Sequence, residues 1–287
     1  MIEIWKRSEL EKLMRAYNIR QSKSLGQNFL TDKNILEKVV SGAELTRDDH
    51  VVEIGAGAGA LTVMLAGSAG RVTAVEIDEK LIPLLREVTE GLPNVEIVHG
   101  DFLKLRDFTG KSSSGVGESY KIVGNLPYYI TTPIIAGLLE PGADGARPEP
   151  PALAVFMVQK EVAERLLSPP GKKAYGAISV LVQYYTEGEM LFPVSREVFA
   201  PRPNVDSAVI RLRPRDLSGD DADTVARMFR LVRAGFDMRR KTLRNSLTAP
   251  GFPAESLSLA LERAGIDPIR RAETLSPRDF YVLASYL

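Results

Sequence analysis

The stretch KIVGNLPYYITTP, residues 121–133, begins as a buried-strand pattern and ends in an amide, a proline and two tyrosines. Asn125, Leu126, Pro127 and Tyr128 include no acid, base or ordinary nucleophile. They suit a reactant that needs none. The 6-amino group of an adenine-like ring is a poor nucleophile because its lone pair is delocalised into the ring. It needs acceptors that hold both amine hydrogens while the nitrogen becomes more tetrahedral. The Asn125 side-chain oxygen can be one acceptor and the Leu126 carbonyl another. Pro127 restricts the backbone before it and so aims those oxygens. Tyr128 offers a ring on which a base can stack, worth roughly 1–3 kcal/mol. Methyl transfer from a sulfonium to such an amine works mainly through positioning and electrostatics, so a neutral pocket is sufficient. The plainer reading is a strand-ending turn with tyrosines in the core.

A donor for that amine is suggested by EIGAGAGA, residues 53–60. Gly55, Gly57 and Gly59 allow a sharp turn and close backbone approach to a ligand. Glu76 closes the next strand, where an acid accepts hydrogen bonds from ribose hydroxyls. The pair indicates an adenosine-containing cofactor. Gly55, Gly57 and Ala60 also satisfy G-x-G-x-x-G/A, so a nicotinamide dinucleotide stays open on these residues alone. Two acids favour S-adenosylmethionine. Glu53 can hold water or an amine near a methionine tail, and Asp101, in HGDFLKL, can accept from an adenine amino group. Their plainer roles are a strand-end charge and a turn cap.

These residues need a scaffold that brings strand ends together. VVEI (51–54), VTAVEI (72–77), VEIVHG (95–100), KIVGN (121–125) and ALAVFMV (152–158) are continuous apolar runs, as in a parallel sheet covered on both faces. GALTVMLAG and EKLIPLLREVTEG supply crossover helices. EMLFPVS (189–195) and SAVIRLRP (207–214) follow with no long helix between them, which predicts an antiparallel edge. The expected fold is α/β: a Rossmann-like doubly wound sheet of seven strands, the last pair antiparallel, with a small all-helical C-terminal domain. Residues 1–216 form the catalytic domain with an N-terminal helical extension, and 217–287 form the helical domain. KSSSGVGES (111–119) and EPGADGARPEPP (140–151) read as surface insertions. Ser276 and Pro277 open the last helix as N-cap and first turn.

Composition narrows the chemistry. There is no cysteine and there are only two histidines, His50 and His99, so thiolate sites, an HExxH zinc site and a serine–histidine hydrolase are set aside. Lys plus Arg number 37 and Asp plus Glu 37, so nucleic-acid binding must come from local patches. The longest such patch is RMFRLVRAGFDMRRKTLRNSL, residues 227–247. Arg227, Arg230, Arg233, Arg239, Arg240, Lys241 and Arg244 face one acid there, Asp237, while Leu231, Ala234, Met238 and Leu243 can form its buried side. RNA phosphate contact is expected, with Arg239 to Lys241 also bracing the two domains. Lys6, Arg7, Lys12, Arg15, Arg20 and Lys23 form a weaker version. No apolar run reaches membrane length, and the acidic N-terminus is unlike a signal or transit peptide. A cytoplasmic monomer without metal is expected.

The chain also resembles a known family, the small-subunit ribosomal RNA adenine dimethyltransferases. SKSLGQNFLTD (22–32), VVEIGAGAGALT (51–62), VGNLPYYITTPI (123–134), FMVQKEVAERL (156–166), YGAISVLVQYY (175–185), VFAPRPNVDSAVIRL (198–212) and FDMRRKTLRNSL (236–247) carry the resemblance over nearly the whole chain. It implies S-adenosylmethionine as cofactor, with Asn28 and Leu30 closing over it and Gly55, Gly57, Glu76, Asp101, Phe102 and Asn125 lining it. It implies dimethylation of two adjacent adenines near the 3′ end of small-subunit (16S) rRNA in an immature 30S particle. Asn125 would orient the amine, Tyr128 would stack the flipped base, and Phe199 would be a second aromatic wall. From spacing alone, Gln27 and Asn28 could as easily cap the following helix. The rivals are the large-subunit adenine methyltransferase of the antibiotic-resistance type, an assembly factor that acts by binding, and a nicotinamide oxidoreductase.

Overall fold

A computed structural model describes residues 2–19, 26–105, 119–140, 149–248 and 251–287. Most of both expected surface insertions, together with Arg20 and Lys23, lies outside the described residues. The order is α1 (Arg7–Ala16), β1 (Phe29–Leu30), α2 (Lys33–Gly42), β2 (His50–Ile54), α3 (Ala60–Ala66), β3 (Arg71–Glu76), α4 (Ile82–Val88), β4 (Val95–His99) and β5 (Tyr120–Asn125). Then come α5 (Thr131–Leu139), β6 (Leu153–Gln159), α6 (Lys160–Leu167), α7 (Ala177–Tyr185), β7 (Thr186–Val194), β8 (Phe199–Ala200) and β9 (Ser207–Pro214). The rest is α8 (Ala222–Asp237), α9 (Leu243–Thr248), α10 (Ala254–Arg263) and α11 (Pro277–Ser285).

The seven expected strands form one sheet in the order β4-β3-β2-β5-β6-β9-β7. β2 and β5 run parallel, as do β2 and β3, and all five residues of β2 are buried. Burial on both faces is why these strands carry no polar alternation. β9 joins β6 antiparallel, which makes the mixed edge. Register then does the positioning. Ile54 is opposite both Val75 and Gly124, so the residues that follow β2, β3 and β5 emerge at one edge. A ligand crevice at the carboxyl ends of such strands is the rule for open α/β sheets.

Two small features were not expected. Phe29 and Leu30 pair with Ala200 and Phe199 in a separate two-stranded ribbon, too short to give a periodic signal. Arg47 and Asn94 donate to Ala66 O and Ala69 O at the end of α3, satisfying carbonyls that the helix leaves open.

The chain divides into two compact units, Met1–Ala163 with Glu189–Pro214, and Glu164–Gly188 with Arg215–Leu287. The boundary expected near 217 falls at Arg215, but Glu164–Gly188 joins the helical unit, a correction to the two continuous spans. Aromatic packing explains it. Tyr184 and Tyr185 of α7 lie against Phe229 of α8, with ring centroids 5.6 and 5.5 Å apart. Ser276 caps α11 in a reciprocal box with Asp279, as the Ser-Pro pair suggested. α8 buries Met228, Leu231, Val232 and Ala234. It ends at Asp237, so Met238 sits past the helix and is 41% exposed, contrary to the buried side expected for it.

Candidate functional site

The pocket at the strand ends is lined by the turn after β2, the residues after β3, β4 and β5, and the segment 26–30. Asn28, Leu30, Gly55, Gly57, Glu76, Asp101, Phe102, Asn125, Leu126, Pro127 and Tyr128 all line it; strand ends pointed to Gly55, Glu76 and Asn125, while Asn28 and Leu30 were expected only from the family resemblance.

The glycine turn has the conformation that its composition anticipates. Gly57 has φ 59° and Gly59 φ 89°, the left-handed region that side chains disfavour. A Cβ on Gly57 would also come within 3.3 Å of the Phe29 ring, and one on Gly59 within 2.9 Å of Leu85. The turn therefore lies flush against its neighbours and leaves the crevice open.

Glu76 is 5% exposed, and its two oxygens are already aimed. Oε2 accepts from the Gly57 N–H at 2.6 Å and Oε1 from the Asp78 N–H at 2.8 Å. Each oxygen keeps a second lone pair for a ribose hydroxyl. Burial raises its pKa, with those N–H groups opposing the shift. Ile77, the next residue, is 43% exposed on the pocket rim, and Phe102 lies in the lining after β4. Two apolar side chains in the same lining suit a flat heteroaromatic ring. Ile77 was missed in the sequence; its place directly after Glu76 was the available signal.

Glu53 is 1% exposed and lines the pocket floor. Thr62 Oγ1 donates to its Oε2 at 2.5 Å, and no cation pairs with it among the described residues. Burial pushes its carboxyl up to about 8, and the nearby Glu76 charge adds to the effect. A buried acid facing a pocket without a cation fits a ligand that brings one. Asp101 is used more modestly, accepting from the Leu103 N–H at 3.1 Å as a turn cap.

The corner after β5 is held on several sides. The Leu126 N–H donates to Met157 O, and Pro127 O accepts from the Ile130 N–H and from Thr131 Oγ1, so the turn is fixed at both ends. Asn125 Nδ2 donates to Asn28 O at 3.0 Å. That partner can only accept, so the amide presents its Oδ1 on its other side. No donor among the described residues engages the Leu126 carbonyl. Tyr128 is half-buried on the pocket lining, with its hydroxyl 3.0 Å from Ser207 Oγ, which holds the ring in place. Tyr129, 52% exposed beside it, is a second rim ring that the motif alone did not single out.

One expectation for this corner fails. Phe199 is 1% exposed, does not line the pocket, and packs in the apolar core. Its backbone pairs with Leu30, so its part is to seat the 29–30 segment, not to form an aromatic wall. Nor do Gln27 and Asn28 cap α2; Asp32 does, accepting from the Ile35 N–H.

The basic residues sort into two groups. Arg230, Arg233, Arg240, Lys241 and Arg244 are exposed, and none has an acid partner among the described residues. Arg230 lies 5.3 Å from the Phe252 ring centroid. Arg227 donates to Ala284 O at 2.7 Å, and Arg239 to Tyr175 O at 2.9 Å and to Glu273. Those partners lie within the helical unit itself, because residues 164–188 belong to it. Near the N-terminus, Lys6, Arg7 and Lys12 are each paired with Glu3, Glu11 and Glu9, which removes most of that patch's charge. Among the described residues no helix is long and apolar enough to cross a membrane, and no cluster of metal-ligating side chains occurs.

Residues 18–287 match the family described as ribosomal RNA adenine dimethylase. A ribosomal RNA small subunit methyltransferase A from Pelotomaculum thermopropionicum is 48% identical over 293 residues, covering 99% of this chain and 97% of that one. Its counterpart from Enterococcus faecalis is 43% identical, covering 99% and 96%. Among solved structures, a dimethyladenosine transferase from Plasmodium falciparum superposes with TM-score 0.73 at 28% identity, covering 89% of this chain and 95% of that one. The 23S rRNA methyltransferase ErmE superposes with TM-score 0.70 at 30% identity, covering 91% and 99%.

Proposed function

The chain belongs to the ribosomal RNA adenine dimethylase family, and we propose that it uses S-adenosylmethionine to dimethylate the 6-amino groups of two adjacent adenosines near the 3′ end of small-subunit rRNA, within an immature small-subunit particle. The carrying observation is the Asn125 amide. Its nitrogen is held by Asn28 O, so its oxygen is offered to the pocket at the strand ends.

The lining fits the cofactor. Glu76 keeps lone pairs for a ribose, Ile77 and Phe102 supply apolar contacts for an adenine, and Glu53 is an acid without a cation at the pocket floor. When bound, the cofactor supplies an electrophilic methyl group on a sulfonium. The protein's task is then to hold the target amine in line with it. Asn125 Oδ1 and the Leu126 carbonyl accept the two amine hydrogens and draw the nitrogen toward a tetrahedral shape. Tyr128 supports the extruded base by stacking. No general base is required at the amine, because proton loss follows once the nitrogen carries the new methyl.

Affinity for RNA is assigned to Arg230, Arg233, Arg240, Lys241 and Arg244, whose charges meet no acid among the described residues. The helical unit thus carries sequence-independent phosphate contacts, while the Asn125 corner selects the base.

The likeness to ErmE keeps large-subunit RNA as the second reading. The small-subunit relatives are more similar, at 42–48% identity over nearly the whole chain. The deciding experiment is mass spectrometry of ribosomal RNA from a strain lacking the gene, with methylation of small-subunit particles and naked large-subunit RNA alongside. Loss of dimethyladenosine from small-subunit RNA alone supports the proposal. Loss from large-subunit RNA overturns the substrate, and loss from neither overturns the activity.

A further inference from the structure

Three amides lie in succession around the pocket, and the partner of each can only accept. Gln27 Nε2 donates to Asp78 Oδ2 at 2.7 Å, Asn28 Nδ2 to Gly26 O at 3.0 Å, and Asn125 Nδ2 to Asn28 O at 3.0 Å. Each amide is therefore locked in one of its two orientations by its partner's chemistry. Asp78 is itself fixed. It is 9% exposed, its N–H donates to Glu76 Oε1, and its Oδ1 accepts from the Lys80 N–H. Residues 26–28 are thus tied to the end of β3 on one side and to the end of β5 on the other.

We infer that the Gln27–Asp78 hydrogen bond is a positioning contact for the reaction, acting through Asn28 O to keep the Asn125 oxygen, and not its NH2, turned toward the target amine. The inference rests on the reading that Asn125 receives that amine. An unheld carboxamide is near-symmetric in shape. With the Asn28 carbonyl displaced, Asn125 would present its NH2 to an amine that also donates, and the two would repel. A bond remote from the reacting nitrogen then sets the fraction of molecules ready to react. The tie also joins the two halves of the site, since Asp78 is bonded to the ribose acid Glu76 and Asn28 to the amine-binding Asn125.

The test exploits acceptor and donor identity. Gln27→Glu sets two carboxylates face to face and should open the tie. Adding Asp78→Asn to it restores a donor–acceptor pair with its polarity reversed. We expect Gln27→Glu to lower kcat about tenfold at saturating cofactor and RNA, the scale of one missing hydrogen bond, with the RNA KM little changed. The double variant should recover most of that activity. A readout independent of turnover is the side-chain amide signal of Asn125 by NMR, identified by its absence in Asn125→Asp. Its hydrogens should exchange faster in Gln27→Glu and regain protection in the double variant. Unchanged kcat and exchange in Gln27→Glu would overturn the inference. So would a fall in kcat with no recovery in the double variant, or an effect confined to cofactor affinity. Wild-type transfer to RNA adenine in the same assay keeps the underlying reading separate, because its failure would appear there first.

Discussion

The pocket at the strand ends and the exposed cations of the helical unit are assigned here to one substrate, yet they are built on opposite principles. Around the pocket, polar groups are mostly buried or half-buried and already bonded. Gly57 N–H meets Glu76, Asn28 O meets Asn125, and Ser207 meets Tyr128. On the helical unit, the residues assigned to RNA are exposed and, among the described residues, bonded to nothing acidic. The lesson is that a group meant for chemistry is oriented in advance, whereas a group meant for phosphate is left unspent. Removing one preorganised group should be severe, and removing one loose cation should be mild and salt-dependent.

The sharpest way to break this contrast is Asn125→Ala, which should lower kcat by roughly 10²–10³-fold, the scale of one preorganised polar group, while some cofactor binding remains. Single-turnover methyl transfer measures it, and a drop below tenfold would erase the distinction. Glu76→Ala comes next. It should weaken cofactor binding by about 1–3 kcal/mol, as for a buried charged hydrogen bond, read by calorimetry; unchanged affinity would remove Glu76 from the site.

Glu53 tests the same contrast by pH. Its carboxyl is pushed up to about 8, burial first, with Glu76 adding and Thr62 opposing. The folded empty protein therefore holds this proton across a range in which an unfolded chain, near the ordinary value of 4.5, has released it. That contribution to stability is largest below the ordinary value and is lost as pH rises toward 8. A cofactor ammonium needs the ionised form, so binding below pH 8 should release a proton and tighten as pH rises. Calorimetry in buffers of differing ionisation enthalpy counts that proton. The count should fall toward zero in Glu53→Gln, and a zero count in wild type would refute the coupling.

Smaller effects belong to the helical unit. Arg230→Glu with Arg233→Glu should weaken RNA binding and flatten its salt slope, by about 0.9 for each phosphate no longer neutralised. An unaltered slope would return both residues to the role of a solvated face. Arg227→Ala should behave differently from its neighbours. Its guanidinium is tied to Ala284 O, so stability should fall by about 1 kcal/mol with no change in the salt slope.

Much of the pocket was legible because its residues follow strands whose apolar runs are unmistakable. Register alone then brings Gly55, Glu76 and Asn125 to one edge. Phe199 was misread because a motif names a residue without its direction; only the pairing of Leu30 with Phe199 shows that it serves the core. The helical assignment of Glu164–Gly188 was hidden for a related reason. Tyr184 and Tyr185 look equally apolar in the sequence whichever unit they pack against. Arg227, Arg239 and Arg230 are likewise indistinguishable as letters, and only the structure shows Arg227 and Arg239 bonded to backbone carbonyls and Arg230 resting on the Phe252 ring.

The most direct measurement is a crystal structure with S-adenosylhomocysteine and an adenosine nucleotide. The account places the adenine N6 within hydrogen-bond reach of both Asn125 Oδ1 and the Leu126 carbonyl, facing the sulfur. An N6 that lies elsewhere, or that meets the Asn125 nitrogen instead, would contradict it.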